Sequence, residues 1–133
     1  MVEVVVCIVC HDEKILLVRR KSGENDLTWV FPGGTVEPGE TELQTAIREL
    51  KEETNIDSEP IELIGDRIHP YTKKHMAYVA MKPLSFDLKL GDDDLDDIRW
   101  VDVSKLEEFF DTPLYGAVKE YLEKVRSYTG LFQ

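Results

Sequence analysis

The chain has 133 residues and a formal charge of −11, with 27 acidic side chains against 16 lysines and arginines. That length suits one domain, residues 1–133, with a core of its own, and that charge speaks against holding a nucleic acid backbone by diffuse basic attraction. An anionic substrate would have to be met through cations set between it and the protein, so a divalent-metal site is expected before any motif is read.

Residues 2–10 are rich in Val and Ile and read as a strand, followed by the turn-like His11-Asp12-Glu13 and a second apolar run, Ile15 to Val18, that ends in Arg19 and Arg20. The pair looks like a hairpin. Cys7 and Cys10 lie three apart in that first strand, so they point to opposite faces and read as core cysteines, without a disulfide or metal pair. The polar Lys21 to Asp26 reads as a loop, Leu27 to Phe31 as a short aromatic-rich strand, and Pro32-Gly33-Gly34 as a sharp turn. No stretch reaches the roughly 18 consecutive apolar residues of a membrane helix. Val2 to Cys10 also lacks the basic start and cleavage site of a secretion signal, so a soluble, cytoplasmic protein with no membrane partner is expected.

Thr41-Glu42-Leu43-Gln44 supplies a capping-box pattern, and a helix is predicted from 41 to 54, with Asn55 able to take the left-handed conformation at its end. Leu43, Ala46, Ile47 and Leu50 recur at the spacing of a buried stripe. Strand-like runs follow at 61–64, 75–81 and 98–103, which with the earlier strands predicts a mixed sheet with helices over both faces. Ser104 caps a short helix through Phe110, and Thr112-Pro113 starts a last helix carrying Leu114, Val118, Tyr121, Leu122 and Val125. Gly91 to Asp97 is an acidic loop.

With about 100° per residue and Glu49 at zero, Glu52 falls near −60° and Glu53 near +40°, beside the apolar stripe. Glu49 and Glu53 at i, i+4 repel by roughly a few tenths of a kcal/mol, a repulsion that a divalent cation would remove. Hard oxygen ligands of this kind suit Mg²⁺ or Mn²⁺. Arg48, four residues before Glu52, can brace a carboxylate, and Gly33 and Gly34 let the backbone approach closely.

Gly34-Thr-Val-Glu-Pro-Gly-Glu40, seven residues, then Arg48-Glu49-Leu50-Lys51-Glu52-Glu53-Thr54-Asn55-Ile56 resembles the signature of the Nudix hydrolases, the family of the MutT-type nucleoside triphosphate pyrophosphohydrolases. Every spacing agrees. The single departure is Asn55 where the family pattern has Gly. The flanking Leu16–Arg20, Trp29–Gly33 and Ile98–Val101 are also similar to what surrounds the signature.

The resemblance implies an α/β (α+β) fold of the Nudix type, an α/β/α sandwich with a mixed sheet flanked by helices and a loop-helix-loop at 34–56. It implies hydrolysis of the diphosphate linkage of a nucleoside triphosphate or related nucleoside diphosphate derivative by metal-activated water, with sanitation of oxidised nucleotides of the 8-oxo-dGTP type as one role. By carry-over, Glu49, Glu52, Glu53 and the Gly34 carbonyl hold Mg²⁺, for which Mn²⁺ can substitute. Glu49, Glu53, Glu52 and Arg48 form the catalytic set, with Glu49 and Glu53 the candidate bases and Arg48 and Glu40 in support. Asp94 and Asp97 of the acidic loop are candidates for a further ligand or base.

Arg19, Trp29, Phe31, Tyr71 and Tyr78 are the candidate contacts for a small-molecule nucleotide. Within the same chemistry, ADP-ribose, a nucleotide sugar or a dinucleoside polyphosphate is an open alternative. From another class, the chain could be a non-catalytic nucleotide-sensing domain. The negative charge and the lack of a basic tract disfavour RNA 5′-end hydrolysis. Monomer and homodimer both remain open.

Overall fold

The β-rich opening of the chain folds as a hairpin that comes apart. In the computed structural model, which describes residues 1–22 and 26–130, strands β1 (Val4–His11) and β2 (Lys14–Ser22) pair only at Cys10 with Ile15 and His11 with Lys14. Asp12 and Glu13 close the turn with φ of 49° and 63°, the positive values that a two-residue hairpin with the right twist demands. Beyond the turn the strands find different partners. β2 pairs antiparallel with β3 (Asp26–Val30) and β7 (Leu95–Asp102). β1 pairs antiparallel with β4 (Gly33–Thr35) and parallel with β6 (His75–Pro83), which carries β5 (Ser58–Ile68) on its far edge. The result is a mixed sheet split into two leaves.

Alternation along the strands feeds two cores. Val5, Cys7, Val9, Leu16, Val79 and Met81 face helix α1 (Glu42–Thr54), where Ala46 and Leu50 meet them. Val6, Ile8, Ile15, Leu17 and Tyr78 face the other way, onto Leu106 of a 3₁₀ helix (Val103–Phe109) and Val118 and Leu122 of helix α2 (Gly116–Gly130). Helices therefore cover both faces of a mixed sheet, the α+β sandwich expected of the sequence. Cys7 faces α1 and Cys10 packs at the opposite core; both are free thiols.

Several boundaries differ from the sequence reading, each for a local reason. Pro32 is buried, and Gly33–Thr35, read as part of a turn, is a short strand on β1. β5 runs well beyond 61–64 because bulges around Pro60–Glu62 and Leu63–Gly65 carry it past residues that break simple alternation. α2 begins at Gly116, after Thr112 and Pro113; Leu114 and Tyr115 pack on the second core ahead of it. The loop read at 21–26 lies partly outside the described residues; Lys21 and Ser22 extend β2, and Asp26 opens β3.

Helix α1 is capped as predicted. Thr41 Oγ1 accepts from the Gln44 N–H at 3.1 Å and Gln44 Oε1 accepts from the Thr41 N–H at 3.0 Å. Asn55 takes φ 70° at the other end, and its side-chain amide donates to the Asp87 carbonyl at 2.9 Å, so the residue that replaces the signature glycine both adopts the left-handed turn and ties it down. The buried face is a correction. Leu43 and Ile47, placed in the apolar stripe by periodicity, are 43% and 40% exposed, whereas Glu53 is 1% exposed. The helix is rolled so that its glutamate side enters the protein.

Candidate active site

That roll puts Glu53 beneath the glycine loop. Its Oε1 accepts the Gly33 N–H at 2.7 Å and its Oε2 accepts from Arg20 Nη2 at 2.8 Å. Burial nevertheless pushes its pKa up to about 7, with the charges of Glu49 and Asp92 adding to the rise and the Gly33 and Arg20 bonds opposing it. Glu49 is raised as well, chiefly by burial, and Glu52 and Asp92 contribute. Mutual repulsion among carboxylates held close together is the electrostatic signature of a site that gains by accepting a cation.

Arg48 organises the neighbours. Its Nε and Nη2 donate to the two oxygens of Glu40 at 2.7 and 2.9 Å, Nη2 also to the Thr35 carbonyl at 3.1 Å, and Nη1 to Glu49 at 2.9 Å and Glu52 at 3.2 Å. Glu40 is thereby held down to about 2, mainly by Arg48, and it also accepts from the Glu37 N–H and Thr45 Oγ1. A Cβ at Gly34 would fall on the Glu49 carboxylate, so only glycine lets the loop backbone lie against that side chain.

Glu49, Glu52, Glu53, Arg48 and Gly34 thus gather at one end of α1. Among the described residues, however, no three acidic side chains stand in a finished metal cage, and Arg48 and Arg20 hydrogen-bond to the oxygens of Glu49, Glu52 and Glu53. The donor set itself is all hard oxygen, two of its members are raised by burial and by neighbouring carboxylates, and the glycine loop touches a third surface of it; these residues fit a divalent cation of the Mg²⁺ type.

A cavity of about 750 Å³ opens beside this end, reaching from Arg20, Gly33 and Gly34 to Arg67 and Tyr115. Trp29, Phe31 and Tyr78 line it, together with Phe109 and Phe110. Phe31 lies 5.2 Å from Phe110 and Trp29 5.7 Å from Phe109, centroid to centroid. Two of the donors that hold Glu53, Arg20 and the Gly33 backbone, belong to this lining.

The other sequence candidates lie elsewhere. Arg19 is locked in a two-pronged pair with Asp96 at 2.8 and 3.1 Å and lies over Trp29, on the far side of β2 from Glu53. Tyr71 is 76% exposed and rests against His69. Asp97 binds Arg99 and the Ile98 N–H. Asp94 accepts the Lys21 N–H through its main-chain carbonyl.

Two residues were missed or passed over. Arg20 shares the parity of Leu16, which faces α1, and that parity was the signal available in the sequence. Asp92 comes close to Glu49 and Glu53 because Gly91 is pressed against α1, where a Cβ would collide with the Glu52 carbonyl oxygen; nothing in the loop's sequence marks which of its aspartates does so.

Fold and site together define an α+β protein in which an arginine-braced glutamate helix meets a glycine loop at the mouth of an aromatic cavity. Within that class the chain belongs to the Nudix family, whose model, described as NUDIX domain, matches residues 1–124. It is similar to Nudix hydrolase 2 of Arabidopsis thaliana, 30% identical over 80% of this chain and 39% of that protein. It is also similar to an ADP-ribose pyrophosphatase of Methanocaldococcus jannaschii, 33% identical over 78% of this chain and 58% of that one. The chain thus spans less than two thirds of either curated relative. A solved NUDIX hydrolase from Nitrosomonas europaea superposes with a TM-score of 0.75 at 26% identity, covering 93% of this chain and 72% of that one. Among the described residues no helix is long and apolar enough to cross a membrane.

Proposed function

We propose that this chain is a Mg²⁺-dependent hydrolase that cleaves the diphosphate linkage of a nucleoside triphosphate or a related nucleoside diphosphate derivative. The observation that carries the reading is Glu53, buried and raised in pKa, held by two donors that line an aromatic cavity of nucleotide size. The family supports the linkage, and the relative named an ADP-ribose pyrophosphatase supports a nucleoside diphosphate derivative in particular.

Glu49, Glu52, Glu53 and the Gly34 carbonyl would hold the cation, with Mn²⁺ able to replace Mg²⁺. When bound, such an ion supplies neutralising charge for the phosphate oxygens and acidifies water. The chain's own residues do the rest. Arg48 keeps Glu49 and Glu52 beside the glycine loop, and Glu40 keeps Arg48 in place, so the carboxylates are gathered before substrate arrives. In the reaction, water oxygen bonds to one phosphorus, the bridging P–O bond breaks with its electron pair leaving on the departing phosphate, and a carboxylate oxygen of Glu49 or Glu53 takes the proton. Arg20 stands ready to turn from Glu53 to a phosphate oxygen. Trp29 and Phe31 offer rings for the nucleoside.

The test is nucleoside monophosphate formation from a panel of nucleoside triphosphates, oxidised nucleotides, ADP-ribose, nucleotide sugars and dinucleoside polyphosphates, with Mg²⁺, with Mn²⁺ and with chelator. Activity is expected with either metal and absent with chelator, and Glu53→Gln should lower kcat by about a hundredfold or more. Wild type and Glu53→Gln equally inert on every compound, while nucleotide still binds, would establish a sensor instead.

A further inference from the structure

Five arginines have described side chains, and four of them are spoken for by carboxylates: Arg19 by Asp96, Arg20 by Glu53, Arg48 by Glu40, Glu49 and Glu52, and Arg99 by Asp97. Arg67 makes no such pair among the described residues, in a chain with a net charge of −11. Its guanidinium instead sits over two tyrosine rings, 4.6 Å from the centre of Tyr115 and 5.7 Å from that of Tyr78, and its Nε donates to the Tyr78 hydroxyl at 3.2 Å. The two rings touch each other, 4.8 Å between centroids, so they back the guanidinium from one side, and Nε is used. Its two terminal amino groups are left without a protein acceptor among the described residues, and Arg67 lines the cavity. A half-buried arginine backed by tyrosine rings, with a free two-donor edge, is prepared for a ligand that offers two acceptors side by side.

Position says which part of the ligand that is. Thr35, Val4, Met76 and Arg67 stand in one row across four strands, so Arg67 is three strand spacings, about 14 Å, from the glycine loop that touches Glu49 and Glu53. A substrate whose diphosphate lies at the glutamates presents its sugar next and its base at Arg67. Trp29, Phe31 and Phe110 line the same cavity, and their rings suit a flat aromatic group. Asp111 also lines this cavity, and its negative charge there works against a second phosphate.

We propose that Arg67 is a specificity-determining residue that reads a nucleobase with a carbonyl oxygen beside a ring-nitrogen acceptor, guanine or cytosine, and disfavours adenine. Guanine offers O6 with N7, and cytosine O2 with N3, whereas adenine sets its amino donor beside each ring nitrogen on the corresponding edges. An adenine at Arg67 leaves donor facing donor and a buried amino group unpaired. This inference rests on the proposed hydrolysis for the direction in which substrate lies, and its test is made independent of turnover.

Nucleoside monophosphates carry the base and lack the scissile linkage, so GMP, CMP and AMP binding is followed by tryptophan fluorescence and calorimetry on the whole chain, without metal. The expected result is binding of GMP and CMP about tenfold or more tighter than AMP, with Arg67→Ala costing GMP and CMP about ten- to a hundredfold and AMP almost nothing. Arg67→Lys keeps the charge and loses the paired planar donors, so it should behave like Arg67→Ala. Equal loss for all three nucleotides, full rescue by lysine, or a wild type that binds the three alike or binds none would each overturn the proposal, the first two by assigning Arg67 to the phosphate. Unchanged melting of both variants, expected for a half-buried residue on an edge strand, confirms that folding is not what is read. Should the wild type discriminate among monophosphates yet hydrolyse no triphosphate with Mg²⁺, the hydrolase reading fails and this one stands; triphosphates of all bases cleaved with equal kcat/KM would reverse that outcome.

Discussion

Gly33 and Gly34 are adjacent, both lack room for a methyl group, and are expected to fail in opposite ways when given one. At Gly33 the added Cβ meets the Val5 carbonyl oxygen, a main-chain atom in the β1–β4 ladder, and backbone cannot step aside without breaking the pairing. At Gly34 it meets the carboxylate of Glu49, the far end of a flexible side chain that can rotate away. Gly33→Ala should therefore cost on the order of 1–3 kcal/mol of stability, read as a lowered Tm. Gly34→Ala should melt close to wild type and lose most of its hydrolytic activity, because Glu49 is displaced from Arg48 and from the loop. Equal melting of the two variants would show that the loop yields as easily as the side chain. Neighbouring arginines teach a similar lesson about reading sequence: Arg19 and Arg20 look interchangeable as letters, yet strand alternation sends one to Asp96 and Trp29 and the other to Glu53.

For helix α1 the legible and the hidden parts separate cleanly. Capping residues, length and the left-handed end at Asn55 follow from local chemistry, and the sequence shows them. The roll of the helix does not follow from its own apolar periodicity, because tertiary partners decide it: Gly33 and Arg20 supply two donors that let a glutamate go under, and Ala46 and Leu50 suffice for the apolar contact. A pH dependence results. Glu53 has a folded pKa of about 7 against an ordinary 4.5, so between those values the folded protein holds a proton that the unfolded chain has released. Its contribution is fully present below about 4.5 and is lost as pH rises through about 7, on the order of 3 kcal/mol in all. Glu49 shifts in the same direction. Glu40 has the opposite sign, since Arg48 holds it at about 2, and its contribution disappears only as the pH falls from 4.5 toward 2. Thermal melts in chelator should accordingly show Tm falling from pH 5 to pH 8, with Glu53→Gln flattening the slope and Mn²⁺ reversing it. A Tm that climbs over that range in the metal-free wild type would contradict the buried, raised carboxylate.

At the scale of the whole molecule the sandwich was legible because alternation in β1, β2 and β6 is strict, with one set of residues facing α1 and the other α2. The way the sheet divides was not. Gly33–Thr35 has too few side chains to declare a strand, and the parting of β1 from β2 depends on β4, β6 and β7 competing for their edges. The cavity is a product of that parting, lined by Val4, Val5 and Val6 of one strand and Arg20 of the other, so its existence was hidden even though three of its aromatic residues, Trp29, Phe31 and Tyr78, were not.

Charge distribution follows the same division between local and global. Arg20 and Arg67 make the cavity locally positive, while the net charge of −11 surrounds it. A nucleotide approaching from solution meets the net field first, and the arginines act only within a Debye length, about 8 Å at physiological salt and about 30 Å in 10 mM salt. At low salt the whole negative surface is felt at long range and slows encounter with a polyphosphate. Raising KCl from about 10 to about 150 mM at saturating Mg²⁺ should therefore increase kcat/KM for a nucleoside triphosphate about two- to threefold and leave kcat nearly unchanged, since the carboxylates and their arginines are too close together to be screened. A steep fall in kcat/KM over the same range would mean that the arginines at the cavity, rather than the acidic surface, set the field through which substrate arrives.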